Sequence, residues 1–257
     1  MSFTPSKRQD AILEMVAQNG FVATDSIVSV FGVTPQTIRR DLNELHQHGL
    51  LTRFHGGAGQ AQTSSNRPYK DRVNSRVEEK RRIARLAASL IPDGASIFLN
   101  TGTTIEAVAR ELLSRENLSV VTNNIKVAQI LSANETFNVM VTGGRVRPHD
   151  GGITGSATID FIGQFHMDFG IIGTNSIDEA GVFWDFDQEE VRLTQATINC
   201  SHRVILVADQ HKFGRRAMNR VGELKEIDIL ITDQKPISPF SDLLEREDIV
   251  VHHVQDA

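Results

Sequence analysis

The chain has 257 residues, of which 40% are hydrophobic and 23% charged, and its formal net charge at pH 7 is -5. This apolar fraction excludes a mainly disordered chain, and the length suffices for two domains of ordinary size. The apolar runs are far shorter than the ~18 residues of a membrane span, the charged first residues show no secretory leader, and the single cysteine, Cys200, excludes an internal disulfide framework. We therefore expect a cytoplasmic two-domain protein that does not cross a membrane and uses neither a cofactor nor a metal.

The N-terminal part of the chain predicts three helices and a short β-wing. Apolar side chains recur at helical spacing over residues 7–19, and a second, shorter helix is predicted over residues 25–31. Thr34 and Pro35 form an N-cap and first-turn pair that opens a third helix ending at His48. The β-capable and glycine-terminated segment 50–57 follows, which completes the pattern of a winged helix-turn-helix domain.

The remainder of the chain predicts a linker followed by an α/β domain. Residues 58–66 are rich in Gly, Gln, Ser and Thr, a linker composition, and a helix is predicted over residues 77–90. Beyond it, apolar strands alternate with helices, which is typical of a mainly parallel sheet. The predicted strands are 96–99, 118–121, 138–141, 169–172, 204–208, 227–231 and 249–252, and the predicted helices are 104–113, 126–131, 188–199 and 240–246. We therefore divide the chain into a winged helix-turn-helix domain over residues 1–57, a linker over residues 58–76 and an α/β domain over residues 77–257.

Positive charge is concentrated at the junction of the two domains. Residues 66–85 carry eight basic and three acidic side chains, a net charge of +5, whereas residues 86–257 carry a net charge of -10. A chain this acidic is not a general nucleic-acid coat, so any DNA contact must come from one face near the N-terminus. We predict that the basic segment Arg67–Arg85 docks on the acidic α/β domain and couples it to the first domain.

The third helix has the composition of a DNA-reading helix. Ile38, Leu42 and Leu45 form its apolar stripe, and the opposite face carries arginine, asparagine, glutamine and threonine, which suit base edges and phosphates. A solvated face of an ordinary amphipathic helix would look similar, but the short helix before it and the wing after it favour DNA reading. The predicted DNA-contacting residues are Thr34, Gln36, Thr37, Arg39, Arg40 and Asn43 of the helix, with Arg53 and His55 of the wing.

Several strand ends of the α/β domain carry groups suited to an anion. The segment Phe98–Thr104 runs from a strand into a helix through a Gly-Thr-Thr turn, where the backbone can approach a ligand closely and amides and hydroxyls can donate to phosphate oxygens. The strand ends at Val121–Asn124 and Val141–Arg145 add donors at equivalent positions, where ligands of open α/β sheets collect. Ordinary helix caps and surface charges remain the alternative for each of these residues taken alone.

The quoted motifs are similar to those of one protein family. Arg8, Ile12 and Val16, followed by Thr34–Leu42, resemble the signature of the DeoR-type family of bacterial transcriptional regulators. The resemblance continues through the wing at Arg53–Ala58 and over the whole C-terminal domain. It implies a sequence-specific repressor of a carbon-metabolism operon that binds double-stranded operator DNA. Because one short recognition helix offers little surface for tight binding, a homo-oligomer (dimer or tetramer) that reads paired half-sites is expected.

The resemblance also implies an effector. The segments Asp150–Gly155, Asp160–Ile162 and Phe186–Asp187 are similar to the branch of the family that responds to glycerol 3-phosphate, which becomes the expected small phosphorylated effector. The C-terminal domain resembles a sugar-phosphate isomerase-like sensor domain, in which the Gly-Thr-Thr turn and Lys212 match phosphate-contacting positions. Asp178, Glu189 and Glu190 match positions of hydroxyl contacts. The predicted effector-binding residues are Asn100, Thr101, Gly102, Thr103, Thr104, Asn123, Gly143, Gly144, Arg145, Asp178, Glu190 and Lys212.

One departure from the family concerns Asn100. The family usually has aspartate there, and the neutral amide removes a negative charge beside the expected phosphate. This change favours an anionic ligand and can alter which hydroxyl pattern is accepted.

A sugar-phosphate isomerase with an accessory DNA-binding domain is the competing function. Asp178 and Glu190 could supply the carboxylate base that such an enzyme needs. An isomerase has no use for a winged helix, however, so we interpret the predicted pocket as a sensor. A transferase related to coenzyme A enzymes would need a nucleophilic glutamate that the sequence does not place.

Overall fold

An N-terminal domain and a larger α/β domain follow one another in the computed structural model, which describes residues 3–54, 56–61, 68–214 and 217–254. The helices are α1 (Lys7–Asn19), α2 (Thr24–Phe31), α3 (Pro35–Gln47), α4 (Tyr69–Asn74), α5 (Val77–Ser89), α6 (Thr103–Leu112), α7 (Ile125–Leu131), α8 (Ser156–Ile162), α9 (Gln188–Asn199) and α10 (Phe240–Arg246). The strands are β1 (Phe21–Ala23), β2 (Leu51–Arg53), β3 (Gly57–Gln60), β4 (Ser96–Leu99), β5 (Ser119–Thr122), β6 (Asn138–Val141), β7 (Arg145–Val146), β8 (Ile153–Thr154), β9 (Met167–Gly173), β10 (Ser176–Ile177), β11 (Val182–Asp185), β12 (Ser201–Val207), β13 (Asn219–Glu223), β14 (Ile229–Thr232) and β15 (Val250–His253). None of the helices in these described ranges is long and apolar enough to cross a membrane.

The N-terminal domain is the winged helix-turn-helix fold that the sequence predicts. Its three helices pack around a core that includes Ile38 and Leu45, and its antiparallel strands lie in the order β1-β3-β2. Thr34 caps α3, since its hydroxyl oxygen accepts a hydrogen bond from the Thr37 amide at 3.3 Å. The strand β3 pairs with both other strands, so the wing extends beyond residue 57 into the segment predicted to be a linker.

The α/β domain is built on a seven-stranded sheet whose strands are all parallel, in the order β15-β14-β12-β9-β4-β5-β6. Side chains alternate between its two faces. Along β12, Ile205 and Val207 pack beneath α5, α6 and α7, whereas Val204 and Leu206 face the layer that holds α9 and α10. Because both faces are covered, the strands are nearly continuous apolar runs, which is why the sequence predicts them. The predicted α/β fold with a mainly parallel sheet is therefore confirmed.

Shorter elements surround the carboxyl ends of this sheet. A small antiparallel sheet has the order β10-β11-β13, and β7 pairs with β8. The helix α4 lies within the predicted linker, where it packs against α6. None of these elements is among the predicted ones, and together with the strand ends they enclose the site described below.

Candidate DNA-binding and effector-binding sites

The outward face of α3 carries the polar residues that the sequence predicts to contact DNA. The apolar stripe of α3 is buried in the domain core, and the opposite face is open to solvent. The exposed residues are Thr34, Gln36, Arg39, Arg40 and Asn43, with Thr37 half-buried beside the cap. Guanidinium and amide groups on one exposed helix face can hydrogen-bond to base edges and phosphates.

Polar contacts fix the orientation of α3 on α1. Arg8 donates to both carboxylate oxygens of Asp41, at 2.6 and 3.2 Å, and Gln9 donates to Glu44 at 2.8 Å. The hydrogen bond from Arg8 to Asp41 raises the pKa of the arginine above its ordinary value. A bidentate pair fixes direction as well as distance, so α3 is presented on a rigid scaffold.

The wing supplies one described residue of the predicted DNA contacts. Arg53 ends β2 opposite Ala58 of β3, with its side chain exposed. The second predicted wing contact, His55, lies outside the described residues. Since β2 packs directly against α3, the wing and the recognition helix form one unit.

A cavity of about 440 Å³ lies where the carboxyl ends of β4, β9 and β12 meet α4. This volume falls within the range of small-molecule sites, roughly 300–1,000 Å³. Of the residues predicted to bind an effector, the cavity brings together Asn100, Thr101, Gly102, Thr103, Thr104, Glu190 and Lys212. The turn after β4 forms the centre of the cavity wall, and charged residues stand on either side of it.

The Gly-Thr-Thr turn opens α6 directly into the cavity. Gly102 is the N-cap of α6 and has a φ of 134°, a backbone conformation that residues with a Cβ rarely adopt. Asn100 is buried and fixes the turn, because its amide donates to the Thr194 hydroxyl at 2.9 Å and its oxygen accepts from the Thr101 amide at 2.6 Å. The first-turn amides of α6 and the Thr103 hydroxyl are therefore arranged for an anion.

Four cations line one side of the cavity, which we call the basic end: Arg72, Arg76, Lys80 and Lys212. Lys80 is buried, which lowers its pKa, and its ammonium donates to the carbonyls of Arg72 and Val73 and lies 3.5 Å from the Thr103 hydroxyl. Three of the four cations belong to the basic segment between the domains. The charge run is visible in the sequence, but its residues are not among those predicted to bind the effector.

The basic end is held in place by two further contacts. The Tyr69 hydroxyl of α4 donates to both oxygens of Glu106 on α6, at 2.8 and 2.9 Å, and burial together with this contact raises the pKa of the tyrosine. Arg76, whose left-handed backbone (φ 50°) joins α4 to α5, lies 3.8 Å from Asp209. Burial alone would raise the pKa of Asp209, but hydrogen bonding to His211 and the neighbouring cations hold it well below its usual range. Asp209 is therefore an anion that organises the cations around it.

Carboxylates line the opposite side together with Arg147, and we call this side the acidic end: Asp150, Asp185, Asp187 and Glu190. The Arg147 guanidinium lies 2.7 Å from Asp150 and 2.8 Å from Asp187, and it also contacts Glu190. The Thr101 hydroxyl donates to Glu190 at 2.8 Å, and the Asn175 amide donates to Asp185 at 2.7 Å.

Burial changes the ionisation of two carboxyl groups at the acidic end. It raises the pKa of Glu190 to about 7, against the lowering effect of Arg147. It also raises the pKa of Asp185, although hydrogen bonds from the Asp187 amide and from Asn175 oppose the shift. The acidic end thus combines ionised carboxylates with groups that hold a proton more firmly than usual, a set suited to hydroxyl groups of a ligand. Among the described residues, no group of His, Cys, Asp and Glu is arranged to hold a metal ion.

The structure corrects the placement of Arg145 and Asp178, which lie outside this cavity. Arg145 is exposed and pairs with Glu189 at 2.7 Å, and it is Arg147, two residues later, that faces the cavity. Asp178 is buried in the turn between β10 and β11, where it accepts from the Trp184 indole and from the amide of Val182, each at 3.0 Å. Both side chains make local contacts instead of lining the cavity.

Three further predicted residues are also placed elsewhere. Asn123 is buried and donates to the Ile153 carbonyl at 3.3 Å, so it joins β5 to β8. Gly143 and Gly144 are exposed, and the Gly143 carbonyl accepts from the Thr158 hydroxyl at 2.8 Å. The strand β6 is the edge of the sheet and β5 lies between it and β4, so the ends of β5 and β6 stand to one side of the cavity at β4, β9 and β12.

Comparison with known proteins matches both parts of the chain to one family. Residues 8–64 match the DeoR-like helix-turn-helix domain and residues 75–234 match the DeoR C terminal sensor domain. The chain is 47% identical to the glycerol-3-phosphate regulon repressor of Escherichia coli (strain K12), with 97% of each chain covered. It is 45% identical to the repressor of the same name in Haemophilus influenzae, over 90% of each chain. It is also 36% identical to the HTH-type transcriptional repressor CsqR of Escherichia coli, over 96% of this chain and 95% of the relative.

Similarity to solved structures is limited to the architecture. Ribose 5-phosphate isomerase A from Neisseria gonorrhoeae is similar over 53% of each chain, with 16% identity and a TM-score of 0.39. The eIF2B beta subunit of Chaetomium thermophilum is similar over 87% of this chain and 65% of that chain, with 12% identity and a TM-score of 0.47.

Proposed function

Because this chain belongs to the DeoR family of transcriptional regulators, we propose that it represses an operon of glycerol metabolism and leaves its operator when it binds glycerol 3-phosphate. Its relatives are named transcriptional repressors, and this chain is likewise a DNA-binding transcriptional repressor rather than an enzyme. The isomerase alternative is therefore set aside. Two of these relatives are named glycerol-3-phosphate regulon repressors, which supports the choice of effector.

The observation that carries the effector proposal is the basic end of the cavity. Four cationic side chains line the cavity into which the N-terminal turn of α6 opens, and the Lys80 ammonium lies 3.5 Å from the Thr103 hydroxyl. A phosphate group bound there would receive charge-assisted hydrogen bonds from side chains and backbone amides. The acidic end would then accept hydrogen bonds from the hydroxyl groups of the ligand.

Operator recognition rests on the exposed face of α3 and on the wing. Arg40 and Asn43 have the side chains that bind guanine and adenine edges, and Arg53 is suited to a phosphate. One such face gives limited specificity, so we propose a homo-oligomer that reads paired half-sites. We also propose a cytoplasmic location, since operator DNA is found there.

A titration of operator complexes tests this function. The full chain is bound to DNA from upstream of the glycerol-metabolism genes of its own genome, and fluorescence anisotropy follows the addition of glycerol 3-phosphate, glycerol or inorganic phosphate. We expect release by glycerol 3-phosphate alone, because glycerol lacks the anion and phosphate lacks the hydroxyls. Release by glycerol at equal concentration would refute the phosphate site, and the absence of operator binding would refute the proposed operon.

Lys212→Ala provides the matching variant. It should bind operator DNA like the wild type but resist release, because one cation of the basic end is missing. A tenfold release requires only about 1.4 kcal/mol of differential binding, which loss of a charge-assisted contact can remove. Lys225→Ala, at an exposed lysine outside the cavity, is the control. If the same concentration of glycerol 3-phosphate released both variants from the operator, Lys212 would not contact the phosphate group.

A further inference from the structure

The effector cavity carries opposite charge at its two ends. Four cations lie at the basic end, where Arg76 pairs with Asp209, whereas four carboxylates line the acidic end and three of them pair with the Arg147 guanidinium. Each end interacts mainly within itself: Lys80 interacts with Asp209, whereas Glu190 interacts with Arg147 and Asp185. A ligand that spans the cavity therefore meets a positive surface at one end and a negative surface at the other.

The single arginine of the acidic end is already fully engaged. The Arg147 side chain is only 14% exposed and pairs with Asp150, Asp187 and Glu190. Among the described residues that line this end, the only other basic group is His149, which lies 3.6 Å from Asp150. A second anionic group on the ligand would thus meet carboxylates without a cation to pair with it.

Hydroxyl groups, in contrast, find partners at the acidic end. The Asp187 side chain is 39% exposed, so its carboxylate can accept hydrogen bonds from a ligand, and Asn175 and Gln188 line the same region. A site discriminates against a ligand when binding would leave like charges together. On the basis of the proposed function, we infer that the acidic end makes this sensor selective for phosphate monoesters whose other groups are uncharged hydroxyls. Ligands with a second anionic group at the far end are rejected by the carboxylates around Arg147.

Matched pairs of ligands test this selectivity. Glycerol 3-phosphate and 3-phosphoglycerate share three carbons and one phosphate, and they differ in that a terminal hydroxymethyl group becomes a carboxylate. Sorbitol 6-phosphate and 6-phosphogluconate form a second pair of the same kind. Binding to the full chain is measured by titration calorimetry at pH 8. Within any pair that binds, we expect the alcohol to bind at least about tenfold more tightly than the acid.

A variant assigns the discrimination to the acidic end. Asp187→Asn removes one negative charge, and the side-chain amide oxygen can still accept the capping hydrogen bond from the Glu189 backbone amide at the start of α9. We expect this variant to narrow the preference for glycerol 3-phosphate over 3-phosphoglycerate by about threefold or more. Asp160→Asn makes the same charge change at an exposed position outside the cavity and should leave the preference unchanged.

The outcomes separate this inference from the function on which it rests. Equal binding of alcohol and acid by the wild type would overturn the inference while leaving a phosphate-responsive repressor intact. If neither these esters nor inorganic phosphate bound, the proposed effector function itself would be wrong. A wild type that discriminates, together with Asp187→Asn and Asp160→Asn variants that discriminate equally well, would show that the acidic end is not the cause. A wild type that does not discriminate overturns the inference even if a variant fails to fold.

Discussion

The rings of Phe21 and Phe240 meet edge-on across the boundary between the two domains, with centroids 5.1 Å apart and planes at 84°. Phe240 also contacts Phe213, whose ring centroid lies 5.0 Å away. Phe213 directly follows Lys212, which lines the effector cavity. One short segment of chain therefore touches both the effector site and the DNA-binding domain.

This arrangement predicts that Phe213 transmits the effector signal. Phe213→Leu should keep the affinity for operator DNA and for glycerol 3-phosphate, each measured alone, within a few-fold of the wild type. The factor by which the ligand weakens operator binding should fall, because the segment packs less firmly against Phe240. Since coupling between two ligands is reciprocal, operator DNA should also weaken ligand binding by a smaller factor in the variant.

Phe161→Leu is the matched control for this prediction. Phe161 contacts Phe165 at 5.2 Å, in a part of the α/β domain away from the domain boundary. The same loss of an aromatic ring there should leave the coupling factor unchanged. Equal coupling in the wild type and in Phe213→Leu would show that the signal takes another route.

The backbone of Gly59 in β3 lies close to the α/β domain, which predicts an effect of substitution on stability. A Cβ at Gly59 would lie 2.0 Å from the carbonyl oxygen of Gly214, so a side chain forces β3 and the α/β domain apart. Gly59→Ala should lower the free energy of unfolding by about 1–3 kcal/mol, as overpacking does. At Gly56, the nearest atom to a Cβ is a carbon of Pro239 at 3.6 Å, an ordinary contact, so Gly56→Ala is the control. Urea unfolding measures both variants, and equal stability would exclude a tight interface at Gly59.

Helices and strands with a clear pattern of apolar residues can be predicted from the sequence. The cap at Thr34 and the apolar stripe of α3 predict its bounds to within a residue, and buried apolar runs predict the seven strands of the main sheet. The short strands β7, β8 and β10 are two residues long and have no periodicity to detect. The segment after Ile177 (Asp-Glu-Ala-Gly) is nevertheless typical of a turn, which gives Asp178 a structural role that the sequence analysis missed.

The composition of the cavity was harder to predict than its location. Strand ends indicate where a ligand binds in an α/β sheet, and the turn at Gly102 lies there. Arg72 and Lys80 reach the same cavity from a helix pair that precedes the sheet, and no spacing rule connects them to Thr103. Arg147 lies on a loop that is closed when the Arg147 backbone amide donates to the Gly152 carbonyl at 2.7 Å, and this loop directs its side chain toward the cavity. Such contacts between distant segments are properties of the folded chain alone.

The exposed face of α3 predicts different effects for two arginines. Arg40→Ala should weaken binding to the operator by roughly 5- to 150-fold, the cost of one lost base contact of about 1–3 kcal/mol, and should reduce the preference for operator over unrelated DNA. Arg53→Ala should weaken binding to all DNA similarly and reduce the salt slope by about one.

Both arginine variants are compared with Arg203→Ala, which removes an exposed arginine from the α/β domain. Anisotropy titrations at several salt concentrations, with operator and unrelated DNA, measure the affinities. A preference for operator that survives in Arg40→Ala would remove this residue from base recognition, and a sequence-selective loss in Arg53→Ala would contradict a phosphate contact.

The buried Glu190 predicts a dependence of stability on pH. Its pKa in the folded protein is about 7, above its ordinary value of 4.5, because burial disfavours the charged form. The folded state therefore holds this proton more firmly than the unfolded chain does, and folding is favoured below pH 4.5. That contribution is lost as the pH rises from 4.5 to 7, by about 3 kcal/mol in total.

The variant Glu190→Gln tests this dependence, because its side chain cannot titrate and keeps an oxygen for Thr101. Over the same pH interval, its free energy of unfolding should fall by about 3 kcal/mol less than that of the wild type. Glu245→Gln, at an exposed position, should follow the wild type, and urea unfolding at pH 4.5 and pH 8 measures all three proteins. If the wild type and Glu190→Gln lost the same stability between these values, the Arg147 guanidinium would outweigh burial and Glu190 would be ionised throughout.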